Sequence, residues 1–180
     1  MIKPSSLQST FVLVWSLDPS LSLPEHIDDP ALDEAANASA RKENDKERER
    51  LLRIARQTGN WAAVTKPGEV PTFFSFGHLS HNETSWLDGE VQRRQLGGLE
   101  ATNLVFLTAL HKIENFGDIK VERRRVAHID GTKEHIWQAS PAVLDKLHAA
   151  LNNIEDGVQL LIAEFVVEIN RRARGQLDPL

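Results

Sequence analysis

The segment IKVERRRVAHIDGTKEHIW, residues 119–137, constrains the fold more than any other part of the chain. Asp130 and Gly131 stand between two runs of alternating residues. Tight two-residue turns prefer the Asp-Gly dipeptide, because both of its positions need a positive φ. The sequence therefore predicts a β-hairpin over 119–137, in which Ile129 pairs with Thr132 across the turn.

Three consecutive arginines, Arg123, Arg124 and Arg125, form the dense basic patch of this hairpin. In the predicted register Arg124 lies opposite Trp137, where a guanidinium can stack on the indole ring. Arg123 and Arg125 then lie on the opposite face of the hairpin, because strand side chains alternate. Two interpretations stay open: cross-strand pairing on a solvated sheet, and contact with an acidic partner surface or with phosphates.

A pair of histidines, His128 and His135, lies on one face of the same predicted hairpin. The predicted register makes them diagonal neighbours, about 7 Å apart or less, which is a distance that shared metal binding allows. No third ligand is evident on that face, and Lys133 would repel a cation. The sequence therefore favours a surface histidine pair.

The stretch HLSHNETSW, residues 78–86, admits two interpretations. His78, His81 and Glu83 are metal-ligating residue types, and a catalytic zinc site needs three such ligands converging on one point. Their spacing differs from the helical H-E-x-x-H pattern. Ser80 followed by Glu83 is instead the capping-box pattern of a helix start. The sequence favours a helix that begins after Ser80, and a metal-dependent enzyme is the alternative.

A long charged helix is predicted in the N-terminal part of the chain. Asp29 and Pro30 are suited to the N-cap and the first helical position, and Gly59 is suited to ending the helix after Thr58. Its middle, RKENDKERER at 41–50, contains no apolar residue, which is typical of a solvated helix face. The alternative is a projecting arm that meets a neighbouring subunit.

The remaining pattern predicts an α+β fold, in which several helices pack on a small antiparallel sheet. We expect an extended N-terminal arm and the charged helix in residues 1–60, and an α+β core domain in 61–180. The last helix has an apolar stripe wider than one face, so we expect it to be covered on two sides. Strands are expected at 9–17 and 70–79, and helices at about 81–95, 99–116, 141–151 and 153–174.

Composition excludes several functional classes. The chain has 180 residues, no cysteine and a net charge of −5, which disfavours a general nucleic-acid binder and excludes thiol chemistry. No segment approaches the roughly 20 apolar residues of a membrane-spanning helix. Phosphate-binding, dinucleotide-binding and nucleophile-elbow motifs are absent, so no cofactor and no catalytic residue are predicted.

One pattern resembles a known class of proteins. Phe74, Phe76, Leu79, Ser80 and Glu83 fit the form F-x-F-x-x-L-[ST]-x-x-E, a strand that leads into a capped helix. This form is similar to that of small proteins from the structural gene blocks of tailed bacteriophages, and the resemblance covers about 65–150. It implies a virion component or a tail assembly factor, and it carries over no functional residue.

The resulting expectation is a non-enzymatic structural component of a bacteriophage virion, in its capsid, neck or tail. Its partners would be other virion proteins, met in repeated copies or as a homo-oligomer, without membrane or specific nucleic acid. It would be found in the virion, and in the host cytoplasm during assembly. A tail assembly chaperone is the first alternative. The predicted docking elements are residues 9–30, 37–55 and 153–174, with Arg123, Arg124 and Arg125 as an acidic-partner contact.

Overall fold

The computed structural model describes residues 10–25, 27–129 and 134–173. These residues form two compact units. Residues 10–15 and 73–173 lie in the larger unit, and residues 16–72 form the smaller unit. The predicted boundary is at residue 60. In the structure, residues 10–15 belong to the larger unit, and the smaller unit extends to residue 72. The reason is strand pairing, since residues 10–13 form part of the larger unit's sheet.

A three-stranded antiparallel sheet forms the centre of the larger unit, with β2 in the middle. Phe11 of β1 lies opposite Phe76 of β2, and Leu13 lies opposite Phe74. All four side chains are buried, so both strands contribute to one core. The strands are β1 (Thr10–Leu13), β2 (Phe73–Gly77) and β3 (Leu110–Glu114).

The third strand corrects the predicted helix at 99–116. The helix α3 ends at Ala109, and Leu110 has extended backbone angles, φ −69° and ψ 125°. The chain then continues as β3 and pairs with β2, placing Ile113 opposite Phe74. The apolar residues of this segment suit a helix and a buried strand equally, so the free edge of β2 decides between them.

Four helices complete the larger unit, and they pack around a phenylalanine cluster. The ring centroid of Phe165 lies 4.9 Å from that of Phe74 and 5.3 Å from that of Phe76. It also stacks on Phe106, at 6.5 Å and an interplanar angle of 8°. Aromatic pairs at such distances add to the free energy of area burial. The helices are α2 (His81–Arg94), α3 (Gly98–Ala109), α4 (Ala142–Ala150) and α5 (Gly157–Ala173).

The predicted hairpin is present as strands β4 (Arg123–His128) and β5 (His135–Ala139), but its predicted register is wrong. His128 lies directly opposite His135, and Arg125, not Arg124, lies opposite Trp137. His128 was expected opposite Lys133, so the pairing is displaced by two residues at the turn end of the strands, and a bulge between Arg125 and Ala127 reduces the displacement to one. The predicted Asp130-Gly131 turn lies outside the described residues. With these elements, the predicted α+β class is confirmed.

The smaller unit contains the charged helix α1 (Glu34–Thr58), which Gly59 ends in the left-handed conformation, as predicted. The predicted N-cap was wrong, because Asp33 rather than Asp29 accepts the capping hydrogen bond, from the amide of Ala36 at 2.8 Å. The polar face of α1 also contacts its own unit. Arg48 and Asn44 both donate to the carbonyl oxygen of Pro24, so they hold the preceding loop.

Buried Asp18 organises the same loop. One carboxylate oxygen accepts from the amide and hydroxyl of Ser20, and the other accepts from the amide of Thr72 at 2.9 Å. The carboxylate thus joins the two ends of the smaller unit. In neither unit do the described residues include a helix long and apolar enough to cross a membrane.

Gly77 allows the first test of this fold, because a Cβ built there would lie only 2.5 Å from Nε2 of His111. We expect Gly77→Ala to displace the ring and to lower the free energy of unfolding by about 1–3 kcal/mol. Gly89→Ala is the matched control, since nothing lies within 4 Å of its position on exposed α2. It should stabilise the protein by about 0.5–1 kcal/mol. Urea denaturation measures both, and equal effects would contradict the packing.

Candidate functional site

The hairpin β4–β5 carries the predicted arginines, and buried contacts fix its position in the larger unit. Ile136 and Gln138 are 1% and 6% exposed, so one face of β5 is buried. The side-chain amide of Gln138 donates to the hydroxyl of Thr108 on α3 at 3.4 Å. Asn82 of α2 donates to the carboxylate of Glu134, next to β5. These contacts hold the hairpin against α2 and α3.

Arg123 turns into the protein. Its Nη2 donates to the carbonyl oxygens of Thr108, at 2.9 Å, and of Trp137, at 2.8 Å. Its Nη1 is buried and has no hydrogen-bond partner among the described residues. This arginine links β4 to α3 and β5. The predicted contact of Arg123 with an acidic partner stays a prediction, and its Nη2 is already bound to two carbonyl oxygens of the chain.

The surroundings of Arg123 shift two pKa values. Burial lowers the pKa of the Arg123 guanidinium, and the nearby Glu83 carboxylate acts in the opposite direction. Burial, and secondly the charge of Arg123, lowers the pKa of His111 from 6.5 to about 4. His111 is therefore a neutral imidazole at neutral pH. Its ring lies against Gly77, so this histidine fills space beside a buried cation.

Arg125 lies on the outer face of the hairpin, directly opposite Trp137. Trp137 is 46% exposed, an unusual degree for the largest apolar side chain on a rigid strand. His128 and His135 continue this face, with ring centroids 4.9 Å apart. The predicted diagonal arrangement of the two histidines is thus replaced by direct pairing. We call Arg125, Trp137, His128 and His135 the outer face.

Arg124 lies opposite Gln138 and lines a cleft of about 350 Å³ on the other side of the hairpin. Arg94, the last residue of α2, lines the same cleft. Neither guanidinium makes a hydrogen bond or salt bridge with another residue in the described ranges. The buried side chains of Leu104 and Leu107 form its apolar floor. We call this site the Arg94–Arg124 cleft.

The alternative metal site is not assembled. Glu83 accepts from the amide of Ser80 at 2.8 Å, and the amide of Glu83 donates to the Ser80 hydroxyl at 3.1 Å. The predicted capping box is thereby confirmed. His78 packs against Phe11, at a ring distance of 5.0 Å, while His81 is the exposed first residue of α2. Over residues 10–25, 27–129 and 134–173, no three His, Asp or Glu side chains are placed to hold a metal ion.

Sequence reasoning found Arg124 but missed Arg94 and Asn103. These residues come from α2 and α3, and no short motif connects them with β4. Asn103 Oδ1 is buried and lacks a hydrogen-bond donor among the described residues. The one sequence feature that indicates a polar site here is Asn103 itself, an asparagine within the apolar segment of α3. With two arginines in its lining, the cleft is suited to an anionic group.

Comparisons with protein-family models, with curated proteins and with solved structures find no match to this chain. The functional interpretation therefore depends on the geometry of the chain's own residues.

His111 leads to a prediction about pH. Its pKa is lower in the folded chain than the usual 6.5, so the unfolded chain binds more protons between about pH 6.5 and 4. Stability should therefore fall as the pH is lowered through this window, with a proton difference of up to about one. His111→Gln should flatten this dependence, whereas exposed His81→Gln should keep it. Urea denaturation at several pH values provides the measurement, and equal slopes in both variants would refute the assignment.

Proposed function

We propose that this chain is a non-enzymatic structural component of a tailed-bacteriophage particle. It docks in repeated copies onto neighbouring virion proteins through the outer face of its hairpin. The observation that carries the docking role is Trp137, which is 46% exposed on a strand whose opposite face is buried. Exposed tryptophan and arginine side chains on rigid elements are the residue types that dominate binding energy at protein interfaces.

Charge supports an acidic partner at this face. Arg125 stands opposite Trp137, so a partner meets a cation beside an aromatic ring. Such a pair presents apolar area and a hydrogen-bonding fork together, which suits a carboxylate-bearing surface with an apolar centre. Preformed positions also lower the conformational entropy lost on docking, because both residues belong to a hydrogen-bonded strand pair.

A second apolar surface supports repeated copies. Leu160 and Val167 lie two turns apart on α5 and are 48% and 70% exposed. Residues seven apart share a helix face, so the two side chains form one stripe beside the buried stripe of α5. This stripe is the exposed part of the wide apolar face expected for the last helix. It gives the larger unit a second docking element, separate from the outer face.

The phage assignment comes from the resemblance carried by Phe74, Phe76, Leu79, Ser80 and Glu83. In the fold these residues form the end of β2 and the capped start of α2. These residues determine the local fold, so they support a resemblance in fold to the phage proteins. The docking role is argued from Trp137 alone. A tail assembly chaperone would use the same surface and then leave the particle.

Particle composition tests the proposal directly. Purified particles of the phage that encodes this chain should contain it in several copies, as measured by quantitative mass spectrometry with labelled peptide standards. The chain should stay bound through a density gradient in high salt. Its absence from mature particles, with presence in assembly intermediates, would replace the structural role by that of a chaperone.

Substitution of Trp137 tests the docking face. Trp137→Ser should lower incorporation into particles roughly 30-fold, which corresponds to the ~2 kcal/mol of an interface hot spot. The fold should be preserved, because the side chain is exposed and Arg123 bonds only to the backbone carbonyl of Trp137. Leu99→Ser is the matched control, since Leu99 is 55% exposed and belongs to α3 instead of the hairpin. Normal incorporation of Trp137→Ser would contradict the proposed face.

A further inference from the structure

The Arg94–Arg124 cleft has two cations that no described residue neutralises by a salt bridge. The neighbour Arg93 is paired with Glu90 at 2.7 Å, whereas Arg94 acts on the same carboxylate only through its charge, without a salt bridge. The carboxylate of Glu100 also lines the cleft, but it accepts from the amide of Gly97 at 3.1 Å at the start of α3. Two guanidinium groups and one carboxylate line the cleft, so its side-chain charge is positive and attracts an anion.

The cleft also has an unused hydrogen-bond acceptor. Asn103 Oδ1 is buried, lines the cleft and meets no donor among the described residues. Buried polar atoms are almost always hydrogen-bonded, so an orphaned acceptor at a cleft favours a ligand that brings an N–H or O–H group. Inorganic phosphate supplies negative charge and an O–H donor at neutral pH, so the apolar lining of the cleft has to distinguish it from an organic carboxylate.

The floor of the cleft adds a third requirement. The side chains of Leu104 and Leu107 are buried there, and no aromatic residue is part of the cleft lining in the described chain. An apolar floor without aromatic rings suits an aliphatic group better than a nucleobase, which binds by stacking. At about 350 Å³ the cleft is at the small end of the range for ligand pockets, so it has room for one or two residues.

We propose that the Arg94–Arg124 cleft binds the C-terminal carboxylate of a partner polypeptide whose last residue is aliphatic. The carboxylate lies between the guanidinium groups of Arg94 and Arg124, and a backbone amide near the C-terminus donates to Asn103 Oδ1. The aliphatic side chain packs on Leu104 and Leu107. This inference rests on the proposed function, because it specifies the chemistry of a docking partner, and it adds a site separate from Trp137.

A peptide pair tests the inference. We would titrate the full chain with N-acetyl-Ala-Ala-Leu as the free acid, and with the same peptide as its C-terminal amide, by isothermal calorimetry at low salt. The free acid should bind at least tenfold more tightly than the amide. Inorganic phosphate should bind more weakly than the free acid. Equal affinity for acid and amide, or no binding of either, would overturn the proposal, as would phosphate binding as tightly as the peptide.

Variants locate the binding to the cleft. Arg94→Gln and Arg124→Gln should each weaken binding of the free acid at least tenfold. Arg93→Gln is the matched control, because Arg93 is on the same helix but is paired with Glu90 and does not line the cleft. An equal loss in Arg93→Gln would show nonspecific charge attraction and overturn the assignment. Circular dichroism and thermal melting confirm that each variant is folded.

The side-chain amide of Asn103 provides a readout independent of charge. Its NMR signals should shift on addition of the free acid and stay unchanged in Arg124→Gln. Peptide binding and particle incorporation also distinguish failure of the cleft assignment from failure of the proposed docking face. If Trp137→Ser loses incorporation while the peptide does not bind, only the cleft assignment fails. If the peptide binds and Trp137→Ser is incorporated normally, the docking face is wrong and the cleft stands.

Discussion

The partly buried guanidinium of Arg123 connects three elements of the larger unit. Its two hydrogen bonds to carbonyl oxygens join β4 to the end of α3 and to β5. A charge removed from water is expensive unless it is hydrogen-bonded, and removal of such a partner leaves the remaining groups unsatisfied. The carbonyl oxygen of Thr108 is one residue before the point where α3 becomes β3. Arg123 therefore contacts the helix-to-strand transition that the sequence pattern did not reveal.

Local signals in the sequence were sufficient where a few adjacent residues decide the structure. Ser80 and Glu83 satisfy each other's neighbouring amides, and Gly59 adopts a left-handed conformation that other residues resist, so both helix ends were predicted correctly. Asp29 shows the limit of such signals. Asp33, four residues later, is an equally good N-cap, and only the fold of the preceding loop on α1 selects it.

Nonlocal pairing explains the larger errors. Residues 110–114 are apolar at positions that suit either a helix or a strand, and the edge of β2 makes the strand more stable. In the hairpin, His128 faces His135 and not the predicted Lys133, and the bulge reduces this displacement from two residues to one, so Arg125 and not Arg124 lies opposite Trp137. A shift of one residue moves a side chain to the other face of a strand. Alternation along β4 separates Arg124 from Arg123 and Arg125, and the hydrogen bonds of Arg123 within the chain distinguish it from Arg125.

This separation explains why the candidate site could be predicted only in part. The sequence identified the triplet as basic, but the partners of each guanidinium come from elements far along the chain: Thr108 for Arg123, Arg94 for Arg124 and Trp137 for Arg125. Arg123 stabilises the hairpin, and the stable hairpin holds Arg124 and Arg125 in place on its two faces. Groups held in this way lose less conformational entropy when a ligand arrives. The hydrogen bonds of Arg123 therefore hold Arg124 and Arg125 in position for binding. One arginine of the triplet stabilises the fold, and the other two are available for contacts.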